Sequence, residues 1–372
     1  MKKLLFALSI IAILFAGCKK NDVPEPTPES TQELNGDITS DVTLSDFNEY
    51  KLTGTLSVKA GATLTIPAGT TIKANKGFSN YIIVEQGATI IAEGTASNPI
   101  TFTSAETNPA EGDWGGLIIN GYAPIAGGGA GATEIDATIP YGGNDAHDNS
   151  GILKYVVIAY SGAQSSEAIE HNGLTLDAVG DGTQIENIYV YNGADDAVEF
   201  FGGSVNVTNM LAVNCDDDCF DVTQGWSGTL DNAYGIWKPG YVSTESDPRG
   251  IEVDGNLDGL NPEYTGQSDF TMKNITIKNA SDYVMEDGIK IRRGATATIT
   301  NAILIGGTAK NIIDLTDSKG DANTATSISL TVDGAVSTNG DINENGSYPN
   351  VKIEAGNTGA NTSSLSWTGF SF

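Results

Sequence analysis

Six short segments of this chain carry side chains that could do chemistry, and all six read polar, small, apolar, polar, apolar. They begin at Asn172, Asp196, Asp218, Arg249, Asp287 and Asn311. Their fourth positions are Thr175, Glu199, Asp221, Glu252, Lys290 and Asp314. Carboxylates brought together in this way can ligate a cation, bind polar groups or act as acid and base. We call these six fourth positions the column and expect any function to depend on it.

The elements that must position the column are short strands. Alternation of apolar and polar residues is typical of a strand with one buried face. Its recurrence at a fixed register predicts stacked coils rather than a folded sheet, with the third and fifth positions in a common core. The fourth positions should then point outward on one exposed face.

A second repeated strand supports the same register through an asparagine that follows an apolar residue by two places. The asparagines are Asn187, Asn209, Asn232, Asn274 and Asn301. Asparagine tolerates left-handed backbone angles at a tight bend, and stacked amides can bond along the axis. The sequence therefore predicts an all-β, single-domain parallel β-helix over residues 45–372, with an Asn ladder at one bend.

The first residues predict export and a lipid anchor. A basic start and a short apolar core over residues 1–17 have the features of a signal peptide. The core ends in Leu14-Phe-Ala-Gly-Cys18, which resembles a lipoprotein signal in which Cys18 is acylated. The Pro- and Glu-rich stretch that follows predicts a disordered tether over residues 18–44. We therefore expect an outer membrane lipoprotein, with exposure on the cell surface left open.

The net charge of the chain limits the classes of molecule that it could bind. The chain has 19 Lys and Arg against 47 Asp and Glu, a net charge of −28. Nucleic acid is excluded, because its phosphates would be repelled. The charge is compatible with divalent cations or neutral sugars, and equally with simple solubility at a cell surface.

Two cysteines remain after Cys18. In an exported protein, Cys215 and Cys219 can form a disulfide across the bend, or fill the turn as two small side chains. Both alternatives stay open. A zinc site is not expected, because two thiolates without a nearby histidine are too few ligands.

Beyond the repeats, Gly94-Thr-Ala-Ser-Asn-Pro-Ile-Thr-Phe-Thr-Ser104 and Gly112-Asp-Trp-Gly-Gly-Leu117 are informative blocks. With the coil repeat and the Asn ladder, they resemble the pectin-lyase-like superfamily of right-handed parallel β-helices, and β-helix lipoproteins of Bacteroidetes. The resemblance covers residues from about 45 to the end. It implies a fold, because that fold carries lyases, hydrolases, esterases and adhesins.

Catalytic candidates can be named, although no complete set is present. Asp217-Asp218-Cys219 resembles a polygalacturonase motif, but that family's Asn-Thr-Asp and Gly-His-Gly motifs are absent. A lyase needs a cation and a base, which Arg249 or Lys290 could supply. The catalytic candidates are Asp217, Asp218, Asp221, Arg249 and Lys290, and the alternative is a solvated face in which acids and bases balance.

Metal and ligand candidates surround the column. Asp195, Asp196, Asp217 and Asp218 are candidate calcium ligands, since calcium takes 6–8 oxygens. Two long loops flank the strand at Arg249, and loops on rigid coils commonly carry binding sites. The ligand-binding candidates are Glu199, Asp221, Glu252, Trp226, Trp237, Tyr241 and Tyr264, because aromatic rings beside acids suit a sugar.

Two functions follow. The favoured one is a non-catalytic cell-envelope lipoprotein that binds a glycan or an envelope protein. The alternative is a carbohydrate-active enzyme, a polysaccharide lyase or a glycoside hydrolase, that acts on acidic polysaccharide through an acidic groove. Missing catalytic motifs favour the first.

Overall fold

The structure, a computed structural model, describes residues 29–45, 48–166 and 169–372. The predicted signal peptide, Cys18 and most of the predicted tether lie outside these residues. Within them, no helix is both long and apolar enough to cross a membrane.

The described chain consists almost wholly of strands. The strands are β1 (Glu29–Ile38), β2 (Val42–Thr43), β3 (Asn48–Val58), β4 (Thr63–Ile66), β5 (Thr71–Ala74), β6 (Ile82–Val84), β7 (Thr89–Glu93), β8 (Ile100–Ser104), β9 (Leu117–Asn120), β10 (Gly131–Ala132), β11 (Pro140–Tyr141), β12 (Gly151–Ala159), β13 (Leu174–Asp177), β14 (Gln184–Tyr191), β15 (Val198–Phe201), β16 (Asn206–Val213), β17 (Phe220–Thr223), β18 (Thr229–Trp237), β19 (Ile251–Asp254), β20 (Asp269–Asn279), β21 (Val284–Arg292), β22 (Thr296–Ile305), β23 (Thr308–Asp314), β24 (Ser327–Asp333), β25 (Val336–Asn343) and β26 (Val351–Ile353). Two short 3-10 helices span Leu257–Gly259 and Thr362–Thr368.

Apart from the small antiparallel pair β10–β11, each ladder between these strands is parallel and joins one coil to the next. We name three faces of the resulting right-handed β-helix. Face A contains β6, β9, β13, β15, β17, β19, β21, β23 and β25. Face B contains β4, β7 and the first halves of the long strands β12, β14, β16, β18, β20 and β22; face C contains β5, β8 and the second halves of those strands.

The bend between faces B and C is the predicted Asn ladder. All five predicted asparagines have a positive φ, between 51° and 63°. Asn209 donates to Asn187 at 3.1 Å and Asn232 donates to Asn209 at 2.7 Å. Asn301 likewise donates to Asn274 at 2.8 Å. The prediction of an asparagine column in left-handed conformation is confirmed. The bend requires a left-handed backbone, and asparagine is one of the few non-glycine residues that adopt it.

The ladder has one interruption. Asn274 donates to Asp231 rather than to Asn232, at 2.7 Å. The long excursion between β18 and β20 separates these two coils in sequence, yet their strands still pair directly. Stacking is therefore kept where the amide chain is broken.

The core fills the inside of the coil. The third and fifth positions of all six segments are buried, as predicted: Leu174, Leu176, Val198, Phe200, Phe220, Val222, Ile251, Val253, Ile289, Ile291, Ile313 and Leu315. They belong to one apolar cluster that extends from the first coils to the last. Burial at about 25 cal/mol per Å² of apolar surface makes this cluster the main source of stability.

The predicted start of the β-helix at residue 45 is wrong. Strand β1 pairs in parallel with β3, from Glu29 opposite Asn48 to Ile38 opposite Val58. Leu34 and Ile38 pack against the core. The first coil thus begins inside the predicted tether, because these apolar residues complete the open end of the stack.

Candidate functional site

The column is in register, as predicted. Thr175 lies opposite Glu199, Glu199 opposite Asp221, and Asp221 opposite Glu252. Glu252 is followed in the same way by Lys290 and then Asp314. Since neighbouring strands lie about 4.8 Å apart, each of these side chains starts within reach of the next.

The prediction that the column is exposed is wrong. Thr175, Glu252, Lys290 and Asp314 are buried, and Glu199 and Asp221 are only partly accessible. Neighbouring charged side chains cover part of it, because Glu252 contacts both Arg249 and Arg292. A buried charge must be paired, protonated or bound to a cation, and the column divides according to which of these occurs.

One part of the column is ion-paired. Arg249 bonds to Asp247 (2.7 Å), to Glu252 and to Asp287 (3.4 Å). Glu252 also contacts Arg292. We call this group, with the pairs given next, the ion-paired network.

Bonds from three cations extend the network. Arg292 Nε bonds to Asp254 at 2.6 Å, and Arg293 contacts Asp254 and, at 3.3 Å, Asp317. Lys290 Nζ bonds to Asp314 at 2.6 Å. Burial, with Arg293 and Arg249 nearby, lowers the pKa of Arg292 to about 10. Here acids are balanced by basic side chains, as in the alternative prediction, but most of these residues are buried and do not form the solvated face that it assumed.

The other part of the column joins an acidic cluster, defined as Asp195, Asp196, Glu199, Asp217 and Asp221. In each of two triads, one carboxylate oxygen from each residue lies within 4.8 Å of the others. The triads are Asp195, Asp196 and Asp217, and Asp196, Glu199 and Asp221. None of the ion pairs between described residues involves a member of this cluster.

Hydrogen bonds satisfy the acidic cluster only in part. Glu199 Oε2 accepts from Asn172 Nδ2 at 2.7 Å, and Asp196 Oδ1 accepts from the Asp218 backbone N–H at 2.9 Å. Asp217 Oδ1 and Asp221 Oδ1 are buried and have no hydrogen-bond partner. Buried polar atoms are rarely left unpaired, so these two oxygens point to a missing partner.

Burial raises the pKa of every carboxyl in the cluster. Burial and the charge of Asp247 raise the pKa of Asp217 to about 7. Burial and Asp254 raise the pKa of Asp221 to about 8. Burial and neighbouring carboxylates also raise the pKa values of Asp195, Asp196 and Glu199 well above the ordinary range. Near neutral pH the cluster must share protons or bind a cation.

The comparisons with known proteins identify the family. The model of the pectate-lyase-like beta helix domain matches residues 36–368. The chain belongs to this family. No curated protein matches it in sequence.

The chain is also similar to solved structures at low sequence identity. Alginate lyase from Paenibacillus sp. str. FPU-7 is 15% identical, with 79% of this chain and 93% of that chain covered and a TM-score of 0.36. The catalytic domain of a GH87 alpha-1,3-glucanase in complex with nigerose is 14% identical, with 88% of this chain and 68% of that chain covered and a TM-score of 0.31.

In this pectate-lyase-like β-helix, the cluster fits a hard cation. Calcium takes carboxylate oxygens, and the two triads share Asp196, so five carboxyl groups converge. Three of the four predicted ligands, Asp195, Asp196 and Asp217, belong to a triad. Asp218 belongs to neither, because its Oδ1 accepts the Arg249 backbone N–H at 2.6 Å.

Two predicted catalytic cations form ion pairs within the protein. Arg249 and Lys290 are buried and bonded to carboxylates, and Asp218 holds the backbone of Arg249. In this arrangement neither side chain is free to act on a substrate, because each is bonded to a carboxylate. Asp217 and Asp221 remain chemically available, with unpartnered oxygens.

Two predicted ligand-binding aromatics lie in the core. Trp226 is 0% exposed, stacks on Phe200 at 4.1 Å and donates to Val205 O. Trp237 is also 0% exposed and donates to Cys215 O at 2.7 Å. The predictions for Trp226 and Trp237 are wrong, because both indoles point into the coil and satisfy their N–H groups there.

The two tyrosines differ from them. Tyr241 is half-buried and its hydroxyl donates to Asp216 at 2.9 Å, so it fastens a loop to the coil. Tyr264 is 41% exposed and lies against the backbone at Gly127, where a Cβ would collide with its ring. Tyr264 therefore remains partly accessible to solvent.

Cys215 and Cys219 are both free and buried. The disulfide alternative is therefore contradicted, and the alternative of two small side chains that fill a turn is confirmed. Both thiols pack in the apolar core, where burial raises the pKa of Cys215 to about 12 and favours the neutral form.

Sequence reasoning missed Asp177. This residue is 2% exposed and its Oδ2 has no partner. It lies opposite Asn120, whose Oδ1 is also unpartnered. Extending the six-segment alignment by one position would have found Asp177, together with Asp254 and Arg292, because that sixth position continues the same strands.

Proposed function

We propose that this chain is a cell-envelope lipoprotein whose β-helix binds a glycan, without cleaving it, through a divalent cation held by the acidic cluster. The family supports a carbohydrate-related role. The lipoprotein signal at Cys18 supports an outer membrane location, with the membrane reached through the lipid.

One observation carries the proposal. Asp196, Glu199 and Asp221 bring carboxylate oxygens within 4.8 Å of one another, and Asp221 Oδ1 is buried without a partner. Calcium would neutralise this charge and satisfy that oxygen, while its remaining positions take hydroxyl or carboxylate oxygens of a sugar. Tyr264 supports the proposal as an accessible ring on a flanking loop.

The ion pairs of Arg249 and Lys290 support a non-catalytic role. Uronate lyases need a base that can take a proton, and Arg249 and Lys290 are both ion-paired. The network holds the loops in place instead.

A glycan array with calcium, and with EDTA, tests the proposal. Binding that requires calcium and is lost in Asp221→Asn is expected. Asp333→Asn, an exposed carboxylate on β24 outside the site, is the matched control and should bind like the wild type. Glycan binding that survives both EDTA and Asp221→Asn would contradict the proposed site.

A second candidate function rests on the distance between carboxyl groups. Retaining glycoside hydrolases use two carboxyls about 5–5.5 Å apart, one of them protonated. Glu199 and Asp221 bring one carboxylate oxygen each within 4.8 Å of the other, and burial with the charge of Asp254 raises the pKa of Asp221 to about 8, so that it holds a proton at neutral pH. Release of reducing ends from an acidic polysaccharide, abolished in both Glu199→Gln and Asp221→Asn, would favour this enzyme over a binding protein.

A further inference from the structure

A segment near the end of the chain, residues 358–372, runs back along the outside of the coils. Its backbone N–H groups bond to successively earlier coils. Thr358 donates to Asn301 at 2.7 Å, Ala360 donates to Thr276 at 2.9 Å, and Asn361 donates to Asn232 at 2.6 Å. We call this segment the strap.

The strap is anchored on an apolar surface on the outside of face C. Leu365 is 0% exposed and packs among Leu211, Val213, Tyr234 and Ile236. These four side chains on two neighbouring strands are buried under the strap. The anchor fixes the position of the residues that follow it.

Beyond Leu365, the strap leaves a groove beside face C with a volume of about 530 Å³. Its walls are Tyr189, Ile236, Lys238, Pro239, Lys278, Ala280 and strap residues 368–372. That volume is within the range of small-ligand sites, about 300–1,000 Å³. From the coil of Tyr189 to that of Lys278 there are three strand steps, a span of about 14 Å.

The groove combines rings with positive charge. Tyr189 and Phe370 are half-buried, and Phe370 packs on the apolar surface under the strap. Lys278 on β20 lies opposite Ile236 on β18, and Lys238 comes two residues after Ile236 in the sequence. Neither lysine forms an ion pair with a described carboxylate, and the side chains that form the walls include no Asp or Glu.

Lys238 and Lys278 differ from most other cationic side chains of the described residues, which are paired with carboxylates. In a chain of net charge −28, most described Lys and Arg side chains contact a carboxylate, as Lys154, Lys273 and Lys310 do. Two unpaired lysines above an apolar floor attract an anion that also has an apolar face. A sugar ring with an acidic substituent has both properties.

We propose that the groove between the strap and face C binds an anionic oligosaccharide, with its acidic groups on Lys238 and Lys278 and its rings against Tyr189 and Phe370. This site is separate from the acidic cluster on face A and does not depend on it. It extends the proposed function by a second, oppositely charged glycan site.

Isothermal titration with a uronic acid trimer tests the proposal, and the same trimer with its carboxyls reduced to alcohols is the matched probe. The wild type should bind the acidic trimer and bind the reduced one at least about tenfold more weakly. The double variant Lys238→Gln/Lys278→Gln should lose about tenfold or more in affinity, and added salt should weaken only the wild type. Tyr189→Ala should weaken both probes.

Two controls separate this site from the other. Lys352→Gln removes an exposed lysine on β26 outside the groove and should change nothing. Asp221→Asn with EDTA disables the acidic cluster and should leave binding of the trimer intact. If the trimer fails to bind, or binds the double variant like the wild type, the proposal is overturned. Binding to anionic phospholipid vesicles without binding to the trimer would overturn it in favour of a lipid headgroup.

Discussion

The acidic cluster and the ion-paired network lie on the same face of the same β-helix and meet at adjacent coils, yet their buried charges are compensated in opposite ways. In the network, Glu252 is in contact with two arginines. In the cluster, Asp221, its direct neighbour in the column, has an unpartnered oxygen and a pKa of about 8. The fold supplies the same strand positions to both, so the difference comes from the residues around them.

The sequence explains the difference. No lysine or arginine occurs between Lys154 and Lys238, the stretch that forms the coils of the acidic cluster. His171 falls in this stretch, but burial lowers its pKa to about 4 and it is neutral beside Phe78 and Tyr81. The residues that form the coils of the acidic cluster therefore supply no positive charge to it. The network, by contrast, receives Arg249 and the cations of β21 and its flank.

The largest expected effect is on the network. Glu252→Gln removes the carboxylate shared by Arg249 and Arg292 and leaves buried positive charge uncompensated. We expect a loss of about 3–5 kcal/mol in the free energy of unfolding, measured by urea denaturation. The same carboxylate-to-amide change in the cluster, Asp221→Asn, should leave stability unchanged or higher because it removes repulsion. Equal losses in the two variants would end the distinction between the regions.

Calcium should act on the cluster alone. A ligand that binds only the folded state stabilises it by about 2.7 kcal/mol at a concentration one hundred times its Kd. We expect the melting temperature to rise with added calcium, more at pH 8 than at pH 5.5, because protonated carboxyls are poor ligands. Asp221→Asn should weaken that rise and Asp333→Asn should not. A melting curve that millimolar calcium leaves unmoved would mean that the cluster is offset by protons alone.

The two regions should also differ in pH dependence. In the cluster, burial and neighbouring carboxylates raise the pKa values of Asp217 and Asp221 to about 7 and 8, so the folded state binds more protons than the unfolded state from about pH 4 upward. Without calcium, the free energy of unfolding should fall by about 6 kcal/mol between pH 5 and pH 8, and level off above about pH 9. The double variant Asp217→Asn/Asp221→Asn should show a much smaller fall.

The network should respond in the opposite sense. Although burial opposes it, Arg249 lowers the pKa of Asp247, and hydrogen bonds with Arg293 nearby lower the pKa of Asp317. The stability that these groups contribute is present above the ordinary carboxyl pKa and is lost as pH falls below about 4. Acid unfolding that is shifted by Asp317→Asn but not by Asp221→Asn would support this assignment.

The sequence predicts the features of these regions that follow the repeat, and it does not predict the contacts that lie outside the repeat. Periodicity fixes strands, core positions and bends, so the column, the Asn ladder and the twelve core positions were predictable residue by residue. Contacts across long excursions are not periodic. The pairing of Arg249 with Asp287 joins residues 38 apart through a coil, and no local pattern indicates it.

The errors have the same origin. Trp226 and Trp237 stand beside loops in sequence, which suggested a surface, but the coil turns them inward within one or two residues. The sequence predicts too late a start for the fold because β1 has a mixed polar sequence, and pairing with β3 rather than its own pattern makes it a strand. Side-chain direction at a bend and pairing at an open end are set by the assembled coil.

The smallest effect on both regions is expected from Cys18→Ser. Cys18 precedes the first described coil, so the urea midpoint, the calcium response and the pH dependence should all stay as in the wild type. The predicted outcome is instead a change of fraction: the wild type in the outer membrane fraction with lipid detected by mass spectrometry, and the variant in the soluble fraction without lipid. A variant that stays in the membrane, together with a wild type that has no lipid, would refute the anchor. A variant that is released but also loses the calcium response would show that the cluster depends on the chain before the first coil, so that the contrast with the network could not be assigned to local charge.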